Sequence, residues 1–382
     1  YRANDGTSNG ANLCSFGTGA GSDRALGSVG AGTSSFAWGM RLKNNTAGTI
    51  NSVKVTFTGE QWRVSTDTRE QPVRFSYLVS PNPITTFTAD ETGYAKVPYL
   101  NFISPVYTGA NTALDGNVAA NRVTNVLRLK VAIAPGQEIM LKWFDENDPQ
   151  FDHALGIDVS VKFYTTATTT DQYTGAATLA QFMKGIILDI PDEGSGVPFT
   201  TPTAAQLTSW GTGISQILSA RYGSAYNTLK SNNLGYRVTK YVTPTKTYYL
   251  AAKDGASGNY WGTYVFSPNA AKTCVNFQAP HPLNDQLTGE QATYMFKEVD
   301  AFTLMVAGTH RCLSTTTSGC TGTDSPCAGQ ARISDMAHTT GSVWQKTTET
   351  VAAGNSNRRF IQMHGFVKDV EPYHFVISNG LT

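Results

Sequence analysis

Residues 274–288 read CVNFQAPHPLNDQLT, and this stretch predicts a buried strand, a sharp loop and the start of a helix. The loop holds His281 and Asp285 just where the strand ends, and binding sites in α/β sheets lie at the carboxyl ends of strands. Thr288 and Gln291 have the spacing of a capping box, and apolar residues recur at helical spacing after them. The stretch therefore predicts two metal-ligating side chains on a rigid frame.

The sequence on both sides of this stretch alternates between predicted helices and strands. A helix capped by Thr203 is expected to run to about Ser219, and another begins at Thr288. Strands are expected at residues 186–190, 248–252, 260–266, 274–279, 302–307, 360–364 and 374–378. The second and third of these strands read as a hairpin, and the helix between the fourth and fifth makes a βαβ unit. Residues 175–382 are therefore expected to form an α/β domain with an open mixed sheet and helices packed on it.

Residues 1–165 are expected to form an all-β domain. Polar and apolar residues alternate strictly at 53–58, 73–77, 127–131 and 157–163. A period of two with one polar face is typical of half-buried antiparallel strands, and the spacing of the turns suits a sandwich. The Thr-rich segment 164–174 has no apolar period, so we expect it to be the linker between the two domains.

Length and composition limit the class of protein. A chain of 382 residues is long for one domain, which favours two. Charged residues make up only 15% of the chain and the formal net charge is +1, so no basic field argues for a nucleic-acid partner. No apolar run reaches the roughly 18 residues of a membrane span. Abundant Gly, Thr, Ser and Asn with few charges indicate a secreted protein with many short strands.

The cysteines also indicate an extracellular protein. Three of the five cysteines, Cys312, Cys320 and Cys327, lie in one loop rich in Ser, Thr and Gly. They lack the close pairs of a zinc ribbon, so a disulfide within the loop is the better interpretation. Such a bond implies an oxidising compartment, and therefore secretion or display on the cell surface.

Five of the six histidines fall in the second half of the chain, which points to a metal centre there. Neutral imidazole and carboxylate are ordinary ligands of Zn²⁺, and a catalytic zinc keeps one position open for water. We predict that His281, Asp285 and His364 hold the metal. The alternative is that each histidine simply satisfies hydrogen bonds in the fold.

Further polar side chains are candidates for catalysis and substrate binding. The catalytic candidates are His338, His310, Asp335 and Glu371. Asp335 is expected to orient His338 or to support the metal ligands, unless Ser334 caps a helix there with Asp335 in its first turn. Arg311 and Arg332 offer planar guanidinium groups for a substrate carboxylate or phosphate, and the alternative is that they are surface arginines.

The first half contains one candidate cation site of a different kind. An acidic run consists of Asp145, Glu146, Asn147 and Asp148, and Asp152 follows it closely. Oxygen ligands of this type suit Ca²⁺. The alternative is an ordinary solvated loop.

Four stretches of the first half resemble a jelly-roll module of secreted bacterial proteins. They lie at residues 22–28, 42–46, 59–63 and 152–158, and the sequence Glu-Gln-Trp-Arg at 60–63 is the most specific part. The resemblance implies an accessory jelly-roll domain of the kind attached to extracellular hydrolases, including nucleases.

The second half resembles the zinc-carboxypeptidase-like amidohydrolases, and most of all the N-formylglutamate amidohydrolases and poly-γ-glutamate hydrolases. The likeness rests on residues 279–282 with Asp285, on 308–311 and on 361–366, and it covers about 235–382. It implies one Zn²⁺ on an α/β sheet and hydrolysis of an amide bond. The family's acidic ligand usually follows the first histidine by three residues, where this chain has Asn284, so Asp285 would serve one place later.

The expected function is therefore a secreted bacterial zinc hydrolase that cleaves amide bonds in a small or polymeric substrate. The general base is left open among Glu290, Glu298 and Glu371. An extracellular phosphoesterase or nuclease is the second hypothesis, and a surface binding protein without catalysis is the third. No Gly-x-Ser-x-Gly elbow with its partner residues and no phosphate-binding glycine loop occurs in the sequence.

Overall fold

The computed structural model describes residues 2–19, 23–30, 33–148, 150–175, 178–231, 233–255, 258–320 and 325–365. The strand expected at 374–378 and the candidate Glu371 lie outside the described residues.

The described part of the chain is rich in strands and carries five α-helices. The strands of the first half are β1 (Arg2–Asn4), β2 (Asn12–Phe16), β3 (Ala25–Val29), β4 (Phe36–Lys43), β5 (Ile50–Val64), β6 (Pro72–Ser80), β7 (Ala95–Lys96), β8 (Phe102–Ile103), β9 (Thr112–Ala113), β10 (Arg122–Ile133), β11 (Glu138–Asp145), β12 (Ala154–Tyr164) and β13 (Asp171–Tyr173). Those of the second half are β14 (Tyr236–Val242), β15 (Thr247–Lys253), β16 (Thr263–Phe266), β17 (Lys272–Ala279), β18 (Ala301–Val306) and β19 (Arg359–Gln362). The helices are α1 (Leu179–Ile187), α2 (Ala204–Leu218), α3 (Tyr222–Lys230), α4 (Thr288–Val299) and α5 (Val343–Ala353).

Two sheets, antiparallel except where β1 pairs with β2, pack against each other in the first half. In the larger sheet β5 lies between β12 and β10, and in the smaller sheet β11 lies between β4 and β6. The ring of Phe57 on β5 packs 6.3 Å from that of Phe75 on β6 and 5.8 Å from that of Trp143 on β11. The four alternating segments predicted from the sequence lie in β5, β6, β10 and β12, so these strands are confirmed. The assignment of this half to a separate jelly-roll domain stays a prediction.

Part of the Thr-rich segment 164–174, which we expected to be a linker, belongs to a sheet. Its residues Asp171–Tyr173 form β13, which pairs with β10 on one side and with β14 on the other. Asp171 is buried, where its carboxylate accepts a hydrogen bond from the backbone N–H of Lys130 at 2.7 Å and pairs with Arg237 at 2.8 Å. One sheet therefore continues from the first half into the second.

The second half continues this sheet in the order β14-β15-β16-β18-β17-β19 and has helices on both of its faces. Neighbouring residues of β18 illustrate the two faces: Leu304 belongs to the core that α1 and α4 cover, and Met305 to the core that α2 and α5 cover. The hairpin of β15 with β16 and the parallel β17–α4–β18 unit are confirmed. No helix among the described residues is long and apolar enough to cross a membrane.

Two local predictions are wrong and one is confirmed. The segment 186–190 is not a strand, because Ile186 and Ile187 are buried in the last turn of α1. Thr288 does not cap α4, since the residue at the N-cap is Leu287 and no side chain caps that helix end. Thr203 does cap α2, through a capping box with Gln206.

Candidate metal centre

The candidate site lies at the carboxyl ends of three parallel strands. The central strand β17 pairs in parallel with β18 on one side and with β19 on the other. His281 follows β17, His364 follows β19, and residues 307–311 follow β18. The chain leaves β17 to build neighbours on both of its sides, which makes this edge a topological switch point, where α/β sheets place their ligands.

The three predicted ligands converge at this edge. His281 Nδ1 lies 3.3 Å from Asp285 Oδ2, and His364 Nδ1 lies 3.2 Å from the same oxygen. One potential ligand atom from each of the three side chains lies within 4.8 Å of the other two, so the three residues could share one ion. The side chain of His281 is only 1% exposed and that of His364 is 41% exposed, so the group has a buried floor and an open side.

The second nitrogen of each imidazole faces a protein acceptor. His281 Nε2 lies 2.8 Å from Asp335 Oδ1, and His364 Nε2 lies 3.3 Å from Gln362 Oε1. Gln362 is held in turn, because its amide donates to Gln278 Oε1 at 3.0 Å. If each Nε2 carries the proton, both Nδ1 lone pairs point at Asp285. Partners of this kind fix the tautomer and ring orientation of metal-ligating histidines in general.

Asp335 is itself firmly held. Arg311 donates from Nε and Nη2 to Asp335 Oδ2 at 3.0 and 2.8 Å, and the backbone N–H of Ala337 donates to Oδ1 at 3.0 Å. Ser334 does not begin a helix, because the residues after it form turns, and its hydroxyl donates to the carbonyl of Arg311 at 2.8 Å. The second of our two interpretations of Asp335, a residue in the first turn of a helix, is therefore wrong, and the carboxylate supports His281 instead.

The electrostatics of the group call for a positive charge between its members. Burial lowers the pKa of His281, but hydrogen bonds to Asp285 and Asp335 outweigh burial and raise it overall. Burial raises the pKa of Asp285, but hydrogen bonds from His281 and His364 outweigh it and hold this pKa well below its usual value. Two imidazole lone pairs and a carboxylate repel one another unless protons or a metal ion lie between them.

The loop that carries His281 and Asp285 is fixed by its own backbone. The N–H of Asp285 donates to the carbonyl of His281 at 2.9 Å, and the hydroxyl of Thr288 donates to the carbonyl of Asp285 at 2.7 Å. Leu287 takes the left-handed conformation, with φ of 63°, which turns the chain into α4. The two side chains therefore come from one rigid turn rather than from a flexible loop.

Two other groups of potential ligands lie in the same half of the chain. His281, Asp335 and His338 form one, but Asp335 already binds Arg311 and the N–H of Ala337. His338 Nδ1 lies 3.1 Å from Asp335 Oδ2 without hydrogen-bond geometry, and its side chain is 39% exposed. The first group, with its three converging acceptors, is therefore the better metal centre.

The third group combines Glu193, His310 and Cys312. Cys312 is bonded to Cys327, with the Cα atoms 5.2 Å apart, so its sulfur cannot act as a thiolate ligand. His310 Nδ1 accepts a hydrogen bond from the backbone N–H of Cys312 at 3.2 Å. The bond between Cys312 and Cys327 confirms the predicted disulfide within the polar loop.

The structure also places the remaining predicted residues. Arg332 donates to the carbonyls of Thr315 and Cys327 at 2.7 and 3.0 Å, so it ties the disulfide loop together. Two of the three candidate general bases lie on α4 and form ion pairs. Glu290 pairs with Lys184 of α1 at 2.8 Å, and Glu298 pairs with Lys297 of α4 at 2.8 Å.

Gln278 and Gln362 support the site but were not predicted from the sequence. The available hint was the polar side chain of Gln278 between the apolar residues Phe277 and Ala279 near the end of β17. The chain matches no model of a known protein family, and no curated protein is significantly similar to it in sequence. The resemblance to the amidohydrolases therefore rests on its motifs alone.

Proposed function

We propose that His281, Asp285 and His364 bind one Zn²⁺ and that this protein is a secreted hydrolase of amide bonds. The observation that carries the proposal is the meeting of two imidazole nitrogens and one carboxylate oxygen, with a protein partner behind each imidazole ring. Two imidazoles and one carboxylate are an ordinary ligand set for catalytic zinc, which leaves a fourth position for water or substrate. The disulfide between Cys312 and Cys327 supports an oxidising compartment.

The protein's own residues would divide the work. A bound zinc ion polarises a carbonyl group and lowers the pKa of water, and it thereby makes hydrolysis feasible near neutral pH. Asp335 keeps the proton of His281 on Nε2 and so leaves Nδ1 to the metal. His338 is exposed and its ring stacks parallel to that of His281 with centroids 6.4 Å apart, so it is placed to give a proton to the leaving amine.

The contacts of the two arginines favour an amide over a phosphate ester. A phosphoesterase needs cationic donors for the substrate's oxygens. Arg311 directs two N–H groups at Asp335, and Arg332 directs two at backbone carbonyls. We therefore assign neither arginine to the substrate. The exposed faces of His338 and His364 indicate that the substrate enters from their side.

Metal analysis of the purified full chain tests whether His281, Asp285 and His364 bind zinc. We expect about one Zn²⁺ per chain, as three-ligand catalytic sites bind. His281→Ala and His364→Ala should each lose the metal, whereas His310→Ala is a matched control that should keep it. Retention of zinc in both ligand variants would disprove the assignment.

Assays on small substrates test whether the protein hydrolyses amide bonds. Release of free amine from N-acyl amino acids and γ-glutamyl peptides should depend on zinc and should fall in His338→Ala while the metal stays bound. A zinc-loaded protein that cleaves none of these amides would leave the metal centre intact but overturn the enzymatic assignment, in favour of a binding protein.

A further inference from the structure

The turn between β11 and β12 contains two buried oxygen atoms without hydrogen-bond partners. Asp152 is only 6% exposed; its Oδ1 accepts from the backbone N–H of Asp148 at 2.8 Å, and its Oδ2 has no partner. Asn147 donates from Nδ2 to the carbonyl of Asp148 at 3.1 Å, and its Oδ1 is buried and has no partner either. Buried acceptors of this kind are rare in proteins and call for a specific explanation.

The same turn brings together three carboxyl groups that burial makes harder to ionise. Burial raises the pKa of Asp145 well above its ordinary value, although the hydroxyl of Ser28 donates to its carboxylate. Burial, with a smaller contribution from Asp152, raises the pKa of Asp148 to about 6. Burial raises the pKa of Asp152 too.

The nearest cations are committed elsewhere. Arg69 pairs with Asp67 at 2.6 Å, and Arg74 pairs with Glu146. Neither guanidinium is hydrogen-bonded to Asp145, Asp148 or Asp152 in the interactions of the described residues. Among the described residues, these carboxyl groups therefore lack a bonded cationic partner.

We propose that this turn binds a Ca²⁺ ion through Asn147 Oδ1 and Asp152 Oδ2, with the carboxylates of Asp145 and Asp148 supplying further negative charge. The side-chain atoms that could bind the ion are all oxygens. Ca²⁺ prefers oxygen ligands, whereas Zn²⁺ also binds nitrogen and sulfur. Among the described residues, side chains of His, Cys, Asp and Glu alone do not form a three-ligand group in this turn, so the amide of Asn147 and backbone carbonyls must complete the shell.

The position of the turn suggests what the ion does. β11 belongs to the smaller sheet of the first half and β12 to the larger one, and Ser28 of β3 reaches Asp145 across the gap. An ion in the turn would tie the two sheets at this end. It is therefore a structural site, and it is independent of the metal centre at His281.

Calcium titration of the full chain tests the proposal. After treatment with a calcium chelator, added Ca²⁺ should raise the unfolding temperature and bind at one site, with Kd values of about 10⁻⁴–10⁻³ M as in extracellular modules. Asp152→Asn should abolish both effects. Asp158→Asn is the matched control, because it removes an exposed carboxylate from β12, the strand that follows the turn, and should change neither. His281→Ala should keep the calcium response, which separates this site from the proposed zinc centre.

Two further outcomes decide the matter if Asp152→Asn misfolds or binds ambiguously. Asn147→Asp adds a negative ligand, so it should bind Ca²⁺ more tightly than the natural chain. The proposal is overturned if Ca²⁺ leaves the unfolding temperature unchanged up to about 10 mM, well above the range of such sites. It is overturned as well if Asp152→Asn folds and binds calcium like the control, or if Asn147→Asp does not bind it more tightly.

Discussion

At the scale of single residues, the site depends on how His281 is held. Its two nitrogens face two carboxylates, one of which is a candidate ligand and the other a support. The support is strong because Arg311 and a backbone N–H fix Asp335. Removing the charge of Asp335 should therefore loosen the imidazole without removing any ligand.

We expect Asp335→Asn to weaken zinc binding by about 10–100-fold, which is the usual effect of losing a partner behind a metal-ligating histidine. The amide can still accept a hydrogen bond from His281, but it lacks the charge that pairs with Arg311. Competition with a zinc chelator measures the affinity, and Asp158→Asn serves as the exposed control. Unchanged affinity would show that Asp335 does not orient the histidine.

Lys253 allows a prediction about pH. It ends β15 beside the ring of Tyr260, whose centroid lies 4.1 Å from Nζ, and burial lowers the pKa of its amine to about 8 while Asp189 opposes the shift. The unfolded chain has an ordinary lysine pKa of about 10.4, so between these values the unfolded state binds more protons and stability rises with pH. Below pH 8 the folded state carries the full penalty of a buried ammonium group.

Lys253→Met should therefore raise the free energy of unfolding at pH 7 by about 2 kcal/mol, a value reduced from the full shift because the side chain is only partly buried. This gain should shrink as the pH rises from 8 towards 10. Denaturant unfolding at several pH values measures it, and Lys272→Met, at an exposed position, should show no such trend. A gain that does not depend on pH would contradict the assigned cause.

The convergence of the three ligands could be foreseen from the sequence, but their supports could not. His281 follows one predicted strand of the α/β sheet and His364 is the last residue of another, so both were expected at its carboxyl edge. The pairing of Gln362 with Gln278 requires β19 to lie beside β17, and strand order is not written in a local pattern. The partner of Arg311 depends in the same way on the path of a long loop.

At the scale of elements, the predictions held where a periodic pattern was long and failed where it was short. The alternation in β5, β6, β10 and β12 identified these strands. The apolar run at 186–190 has only five residues, and such a run cannot be told from part of a buried helix. The overlooked evidence was the capping box of Thr178 and Gln181, which starts α1.

The start of α4 contains a strained residue that can be tested. Leu287 has φ of 63° and is 59% exposed, so its side chain contributes little burial to offset the left-handed backbone. That conformation costs a residue other than glycine roughly 1–2 kcal/mol. Leu287→Gly should therefore raise the free energy of unfolding by up to about 1 kcal/mol, after the greater flexibility of the unfolded glycine is counted.

Two matched substitutions check this interpretation by denaturant unfolding. Ala220 has φ of 57° after α2, so Ala220→Gly should stabilise the protein by a similar amount. Gly136 has φ of 81° with open space around its missing Cβ, so Gly136→Ala should destabilise it through strain alone. If Leu287→Gly destabilises the protein while these two behave as expected, the leucine side chain has a role that strain does not explain.

At the scale of the whole molecule, the two halves share more than the sequence indicated. One sheet runs through both by way of β13, and α1 packs on the first half, with the ring of Phe182 5.1 Å from that of Tyr99. Separation at 164–174 was expected because the segment is polar and lacks a period. A strand of three residues, such as β13, is too short to show an alternating pattern, so the sequence around it could not reveal that the two halves share a sheet.

This junction gives the last prediction, which concerns residues 175–382 expressed alone. Arg237 is 2% exposed and pairs with Asp171 at 2.8 Å, and a chain that starts at 175 lacks this partner. Asp254 stays as a partner of Arg237 at 3.3 Å, so the loss is at most about 3–5 kcal/mol, the cost of breaking a buried ion pair, which is still a large share of the roughly 5–15 kcal/mol by which proteins are stable. The same cut exposes the edge of β14 and the apolar face of α1. We therefore expect the fragment to lack a cooperative thermal transition, and co-expression with residues 1–174 to restore one. A soluble fragment that unfolds cooperatively and binds zinc by itself would instead establish two independent domains.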